Sequence, residues 1–288
     1  MKKLHFVKMH GTGNDFILIN NDHLIELKID LTKELIVRMC DRHFGIGSDG
    51  VLLISRGKKV AFKYEVYNPD GTQAEMCGNG IRCYMKYLFD NGFVNQNIID
   101  VETGVGILNL SIDKNIVTVD MGKPSRIKNL VYKSKKLGDK FPIKIDNQEF
   151  IFTPISMGNP HAVIFCRDNN LLNDLLEKLD ISIYGKHIEN YLDIFPDKTN
   201  VEFVKIISEF EVMVRVWERG AGETLSCGTG ACAVVVAGIL SGRLSINKFI
   251  KVNLPGGILE VKWSGDEKDS VIMKGEAKEV FKGEYYLS

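Results

Sequence analysis

At 288 residues, and with roughly 100 to 200 residues to a domain, the chain has room for two folded domains, each with its own core. Hydrophobic residues make up 44% of it and charged residues 26%, a balance that excludes a disordered or fibrous protein. The 37 basic side chains cancel the 37 acidic ones, so the basic excess that meets nucleic acid or an anionic membrane is missing and a small-molecule partner is the default.

In chain order, residues 4–9 alternate and reach a glycine turn without the apolar core of a signal peptide. Apolar residues at three-to-four spacing predict a helix over Lys33–Cys40, and alternation predicts a strand over residues 62–66. An apolar helix over residues 81–89 stops at Asn91-Gly92, and a strand-like segment follows at 101–108. The β-like run IVTVDM meets a Gly/Pro break at residues 121–124. Beyond it come a helical candidate at 171–179, a strand at 211–216, an apolar helix at 231–240 that stops at Ser241-Gly242, and strand-like segments at 252–259 and 282–287. The run at 231–240 is the longest clear apolar candidate, short of the ~18 to 20 residues a membrane span needs, and a cytoplasmic protein is expected. Six cysteines without C-x-x-C spacing, in a chain too large to need staples, should be thiols.

These elements repeat. VYNPDGTQAEMCGNG at 66–80 matches VWERGAGETLSCGTG at 216–230, so that Cys-Gly-x-Gly recurs 150 residues on. The helices after it, their glycine stops and the strands VETGVGIL and VNLPGGIL follow in the same order, and Gly13-Asn14-Asp15-Phe16-Ile17 upstream is echoed by Gly158-Asn159-Pro160-His161-Ala162. The chain therefore reads as an α/β (α+β) protein of two pseudo-symmetric halves from an internal duplication. The halves are residues 1–121 and 122–275, with the last strand, 276–288, returning to the first.

A cysteine ahead of Gly-Asn-Gly or Gly-Thr-Gly and an apolar helix stands at a helix N-terminus, where backbone N–H groups and the helix dipole favour anions. Cys77 and Cys227 should therefore have depressed pKa values, and the same amides can hold a carboxylate. One such thiol would suggest a nucleophile. Two equivalent ones suggest a pair that removes a proton from one face of a carbon and returns one to the other, as in a two-base racemase or epimerase. Cys40, Cys83, Cys166 and Cys232 read as small buried hydrophobes. Neither Cys77 with Cys83 nor Cys227 with Cys232 has a nearby histidine, so no metal is expected. His161 and Glu218 are the candidates for tuning the thiols. Gly11-Thr12-Gly13 and residues 45–50 are incomplete as dinucleotide loops.

The blocks MHGTGNDF (9–16), FGIGSDG (44–50), YNPDGTQAEMCGNGIRC (67–83), SMGNPHAV (156–163), NVEF (200–203), WERGAGETLSCGTGACA (217–233) and LPGG (254–257) together resemble the diaminopimelate epimerases, over nearly the whole chain. The resemblance implies two similar domains, each a curled, largely antiparallel sheet or barrel around a central helix, with the active site in the cleft between them. It implies cofactor-independent interconversion of LL- and meso-diaminopimelate in lysine biosynthesis, with Cys77 and Cys227 as the acid/base pair. The amides of Gly78, Asn79, Gly228 and Thr229 would receive the reacting carboxylate. Asn14, Asn68, Asn159, Asn200, Glu218 and Arg219 match substrate-binding positions, and His161 and Glu218 match positions that adjust the thiols. Arg219, taken as a buried guanidinium, is the natural partner of the distal carboxylate. One departure is Gly50, where some members carry glutamine. The partner expected is the small-molecule substrate, with a homodimer compatible and neither nucleic acid nor membrane. The rivals are a proline or hydroxyproline racemase, which would not need Arg219 for a second carboxylate, and a non-catalytic amino-acid-binding protein, which would not need both thiols.

Overall fold

The structure is a computed structural model that describes residues 2–145, 148–169 and 176–287. The chain separates into two compact units, Met1–Val119 with Gly275–Ser288, and Asp120–Lys274. In the first, strand Lys2–Gly11 pairs antiparallel with Asn14–Asn20 on one side and with the C-terminal strand Lys278–Leu287 on the other. Asn14–Asn20 runs parallel to Val51–Arg56, and that strand runs antiparallel to Phe62–Tyr67. Phe62–Tyr67 lies parallel to Ile98–Thr103, which forms a hairpin with Gly106–Asp113.

The second unit repeats this order. Gln148–Ser156 pairs antiparallel with Pro160–Phe165, which runs parallel to Asn200–Ser208. Glu211–Glu218 follows antiparallel, lies parallel to Ile250–Leu254, and the hairpin to Gly257–Lys262 closes the series. Even the hairpin registers agree, Thr103 facing Gly106 and Val101 facing Leu108 in one, Leu254 facing Gly257 and Val252 facing Leu259 in the other. The strand segments read at 101–108 and 252–259 are thus equivalent hairpins.

Each sheet packs around one 13-residue helix, Gly78–Asp90 or Gly228–Leu240. The second helix contains Val234, Val235 and Val236 in a row, all fully buried. β-Branched residues lose side-chain freedom in a helix, but burial on every side outweighs a propensity cost of a few tenths of a kcal/mol per residue. Both helices end alike. Gly92 (φ 71°) and Gly242 (φ 68°) take the left-handed conformation that closes a helix, and the next residues, Phe93 and Arg243, donate back to the Leu88 and Gly238 carbonyls.

The opposite faces of the sheets carry shorter helices. Asn21–Leu27 and Lys33–Cys40 enclose a core of Leu4, Ile17, Ile19, Leu35 and Met39, and Ile181–Glu189 covers Phe150, Phe152 and Phe203. Of the helix expected at 171–179, residues 171–175 lie outside those described, and Leu176–Lys178 is a single 3-10 turn. The six cysteines are thiols. Among the described residues no helix is long and apolar enough to cross a membrane.

Candidate active site

Cys77 and Cys227 are the residues that cap the two central helices. Each has extended backbone, at φ −137°, ψ 117° and φ −125°, ψ 116°. Each sulfur accepts from the third amide of its helix, Gly80 N–H at 3.5 Å and Gly230 N–H at 3.3 Å. Sulfur thus fills the slot that serine or aspartate usually takes. The helical ladders start at Ile81 and Ala231, which donate to the carbonyls of Cys77 and Cys227, so the amides of Gly78, Asn79, Gly228 and Thr229 lie ahead of them. That is the geometry of an anion site at a helix start.

In the first unit the Cys77 thiol points at Asn14 Oδ1, 3.8 Å away, and the Asn79 side chain donates to the same oxygen at 3.2 Å. The Asn14 amide is oriented from behind, because its nitrogen donates to Asp49 Oδ2 at 2.7 Å. Asp49 and Asp15 share Arg42 at 2.6 and 2.7 Å, and Lys8 meets Asp15 at 2.5 Å. Burial works against an ionised Asp15, but Arg42 and Lys8 prevail and hold it at about 2. Sequence reading missed this support. Its signal was Asp49 inside FGIGSDG. Asn68 lies on an exposed turn, bonded to Thr72 Oγ1 at 3.0 Å.

Gly50 accounts for its own departure from the family pattern. A Cβ there would stand 2.5 Å from the Tyr67 carbonyl oxygen, so this backbone has no room for glutamine. The ladders identify its counterpart: Asn200 faces His161, and Gly50 is level with Phe16, one step before the Ile17–Val51 pair.

The second unit gathers more charge. Cys227 is 5% exposed. Its sulfur lies 3.4 Å from Thr229 Oγ1, and the Glu218 carboxylate, which accepts from the Thr224 hydroxyl, acts on it through its charge. Asn159 donates to Thr229 Oγ1 at 3.3 Å, and its Oδ1 meets His161 Nε2 at 3.0 Å. His161 Nδ1 is 2.6 Å from Glu202, a buried carboxylate that sequence reading did not single out. Asn200 and Arg219 form a neighbouring pair: the Arg219 amide donates to Asn200 Oδ1 at 2.9 Å, the Asn200 side chain donates to the Pro160 carbonyl at 2.8 Å, and Arg219 Nη1 reaches the Asp197 carbonyl at 3.0 Å. Buried Glu189 braces this loop, accepting from Trp217 Nε1 at 2.8 Å and from the Gly220 amide at 2.9 Å.

Two expectations need correction. Arg219 is exposed rather than buried. The thiol of Cys227 is not depressed: burial pushes it well above its ordinary value, and Glu218 and Glu202 push the same way against Thr229 and the Gly230 amide. A helix N-terminus contributes ~0.3 to 1 kcal/mol, whereas full burial can move a pKa by ~3 to 5 units, so burial wins. Cys83, raised to about 12, and Cys166, raised to about 11, are shifted mainly by burial as well.

Burial also raises the Glu218 carboxyl, against the Thr224 hydroxyl, the Cys227 thiol and His161. A carboxyl raised by folding contributes stability that is complete below its unfolded pKa, near ~4.3, and lost as pH rises through the folded value. Glu218→Gln should therefore melt higher than the parent at neutral pH, by about 2–4 °C for each kcal/mol recovered. The advantage should vanish below pH ~4. Thermal melts across pH check this, and a pH-independent difference would contradict it.

The family model described as diaminopimelate epimerase matches residues 6–127 and 153–280. A diaminopimelate epimerase of Carboxydothermus hydrogenoformans is 44% identical over 99% of this chain and 100% of its own length. One from Halothermothrix orenii is 41% identical over 99% of each. Among solved structures, a PhzF-family phenazine biosynthesis protein of Bacillus anthracis superposes with a TM-score of 0.73 at 15% identity, covering 100% of both chains. A probable proline racemase of Agrobacterium radiobacter gives 0.71 at 15% identity, over 99% of this chain and 93% of the other. The two solved structures establish the likeness of fold alone.

Proposed function

The chain belongs to the diaminopimelate epimerase family and is a cofactor-independent epimerase of LL- and meso-diaminopimelate in lysine biosynthesis; we propose that Cys77 and Cys227 carry the proton. The observation behind this assignment is that two thiols, 150 residues apart in a duplicated sequence, cap equivalent helices through the same sulfur-to-amide bond. A thiolate takes the α-proton from one face, and the electron pair left on carbon delocalises into the adjoining carboxylate. The other thiol then gives its proton to the opposite face, so thiol and thiolate have exchanged places and no other reagent is consumed.

The carboxylate gains negative charge in that intermediate, and oriented amides at a helix start favour it without reorganising. We assign this task to Gly78, Asn79, Gly228 and Thr229. Asn14 and Asn159 lie beside the two caps and orient the substrate's polar groups there, and Asn68, Asn200 and Arg219 serve the rest of the molecule. Glu218, whose charge acts on the Cys227 thiol, together with His161 sets when that sulfur gives or takes its proton. We place the enzyme in the cytoplasm, where its thiols stay reduced, with a homodimer as the assembly to be checked by sedimentation.

Solvent isotope provides the test. With LL substrate in D2O and initial rates, deuterium should enter the meso product while recovered LL substrate stays largely protonated, because the donor thiol has exchanged with solvent and the acceptor thiol has not. Early, equal labelling of both epimers in single-turnover mass spectrometry would indicate one shared base.

A further inference from the structure

Glu202 is the buried charge of the second unit that the pseudo-symmetry does not require. Its counterpart 150 residues earlier is Leu52, in the equivalent parallel strand, and the counterpart of His161 across that ladder is Phe16. Leucine and phenylalanine thus fill these places in the first sheet, and packing alone needs no carboxylate there. Glu202 and His161 are both 0% exposed in their side chains. Oε1 lies 2.6 Å from His161 Nδ1, while Oε2 is buried with no hydrogen-bond partner among the described residues. A half-satisfied buried carboxylate is a poor source of stability.

The contacts lead toward the thiol. The ring's other nitrogen meets Asn159 Oδ1 at 3.0 Å, the Asn159 nitrogen donates to Thr229 Oγ1 at 3.3 Å, and that hydroxyl is 3.4 Å from Cys227 Sγ. Oε1 of Glu202 also sits 2.7 Å from where a Cβ on Gly230 would stand. The carboxylate is therefore seated at the start of the helix that Cys227 caps.

We propose that Glu202 is a positioning residue for proton transfer at Cys227. By accepting the Nδ1 proton of His161 it fixes the ring's plane and keeps that nitrogen protonated. Nε2 in turn donates to Asn159 Oδ1, and the ring so held turns the Asn159 nitrogen toward Thr229 and the sulfur. The proposal rests on Cys227 being an acid/base group.

The test compares Glu202→Gln, which keeps an oxygen for Nδ1, with Glu202→Leu, the residue the first unit uses, and with Cys227→Ser as the control on the underlying reading. In 15N-histidine spectra, wild type and Glu202→Gln should show a protonated, hydrogen-bonded Nδ1 on His161, and Glu202→Leu should lose it. Turnover of LL-diaminopimelate should fall on the order of 10- to 100-fold in Glu202→Leu, the range for losing a carboxylate that orients a working histidine, and stay within a few-fold of wild type in Glu202→Gln. A folded Glu202→Leu enzyme with wild-type turnover overturns the role of Glu202, as does an Nδ1 that carries no proton in wild type, a result that stands even if the leucine variant does not fold. Glu202→Gln failing as badly as Glu202→Leu also overturns it, because positioning would then not be what the carboxylate supplies. Full activity in Cys227→Ser instead removes the reading of Cys227 itself.

Discussion

Serine at position 77 or at position 227 is expected to lower epimerisation of LL-diaminopimelate by roughly 10²- to 10⁴-fold, the range that one positioned acid or base contributes. The fold should survive. Serine is a favoured helix cap, and its oxygen can take over the bonds that the sulfurs accept from the Gly80 and Gly230 amides. What it cannot do is carry the proton, because an alcohol ionises far less readily than a thiol at ~8.5. Each variant keeps one competent thiol, so exchange of the α-proton with solvent should persist for one epimer in Cys77→Ser and for the other in Cys227→Ser. Chromatography of the two epimers, with deuterium content read on each, separates inversion from exchange. Full turnover in either variant would leave the two-thiol mechanism without one of its members.

The duplication was legible because its markers are local. A glycine that stops a helix, a hairpin with its glycine and a cysteine before Gly-x-Gly can each be read within a few residues, and all recur in the structure at equivalent places. Of the short outer helices, Lys33–Cys40 was legible from its three-to-four apolar spacing, and the other two were not. Asn21–Leu27 is seven residues long, and Ile181–Glu189 mixes β-branched residues with Gly185, so neither carries a helical period long enough to stand out. Their stability comes from the sheet face they cover.

The candidate site divides in the same way. The caps were readable, but the sign of the Cys227 shift was not, since it depends on burial and on Glu202 from a separate strand as well as on the nearby Glu218. Glu202 was hidden for a related reason. Within Val-Glu-Phe-Val it reads as the solvent side of an alternating strand, yet residues 200–204 are all buried because this sheet is covered on both faces. Arg219 erred in the opposite direction. A functional arginine was assumed to be enclosed, whereas Arg219 is exposed.

That exposure shapes what Arg219 should contribute. Its backbone is fixed through Asn200 and its guanidinium reaches the Asp197 carbonyl at 3.0 Å, so the group is partly pre-oriented while still hydrated. A distal carboxylate would replace water with charge-assisted hydrogen bonds of ~1.5 to 3 kcal/mol each, less whatever hydration the arginine gives up. Lysine is diaminopimelate without that carboxylate, and losing one such bond predicts kcat/KM lower by roughly 10- to 150-fold. Arg219→Lys keeps the charge but loses the planar fork. It should damage diaminopimelate turnover strongly and change lysine turnover little, because the lost interaction is one that lysine never makes. Measured on LL-diaminopimelate, lysine and proline under reducing conditions, the two enzymes should therefore differ most on the dicarboxylate. Equal losses on diaminopimelate and lysine would mean that the arginine supports the loop rather than the substrate, and an unaffected Arg219→Lys enzyme would remove it from the site.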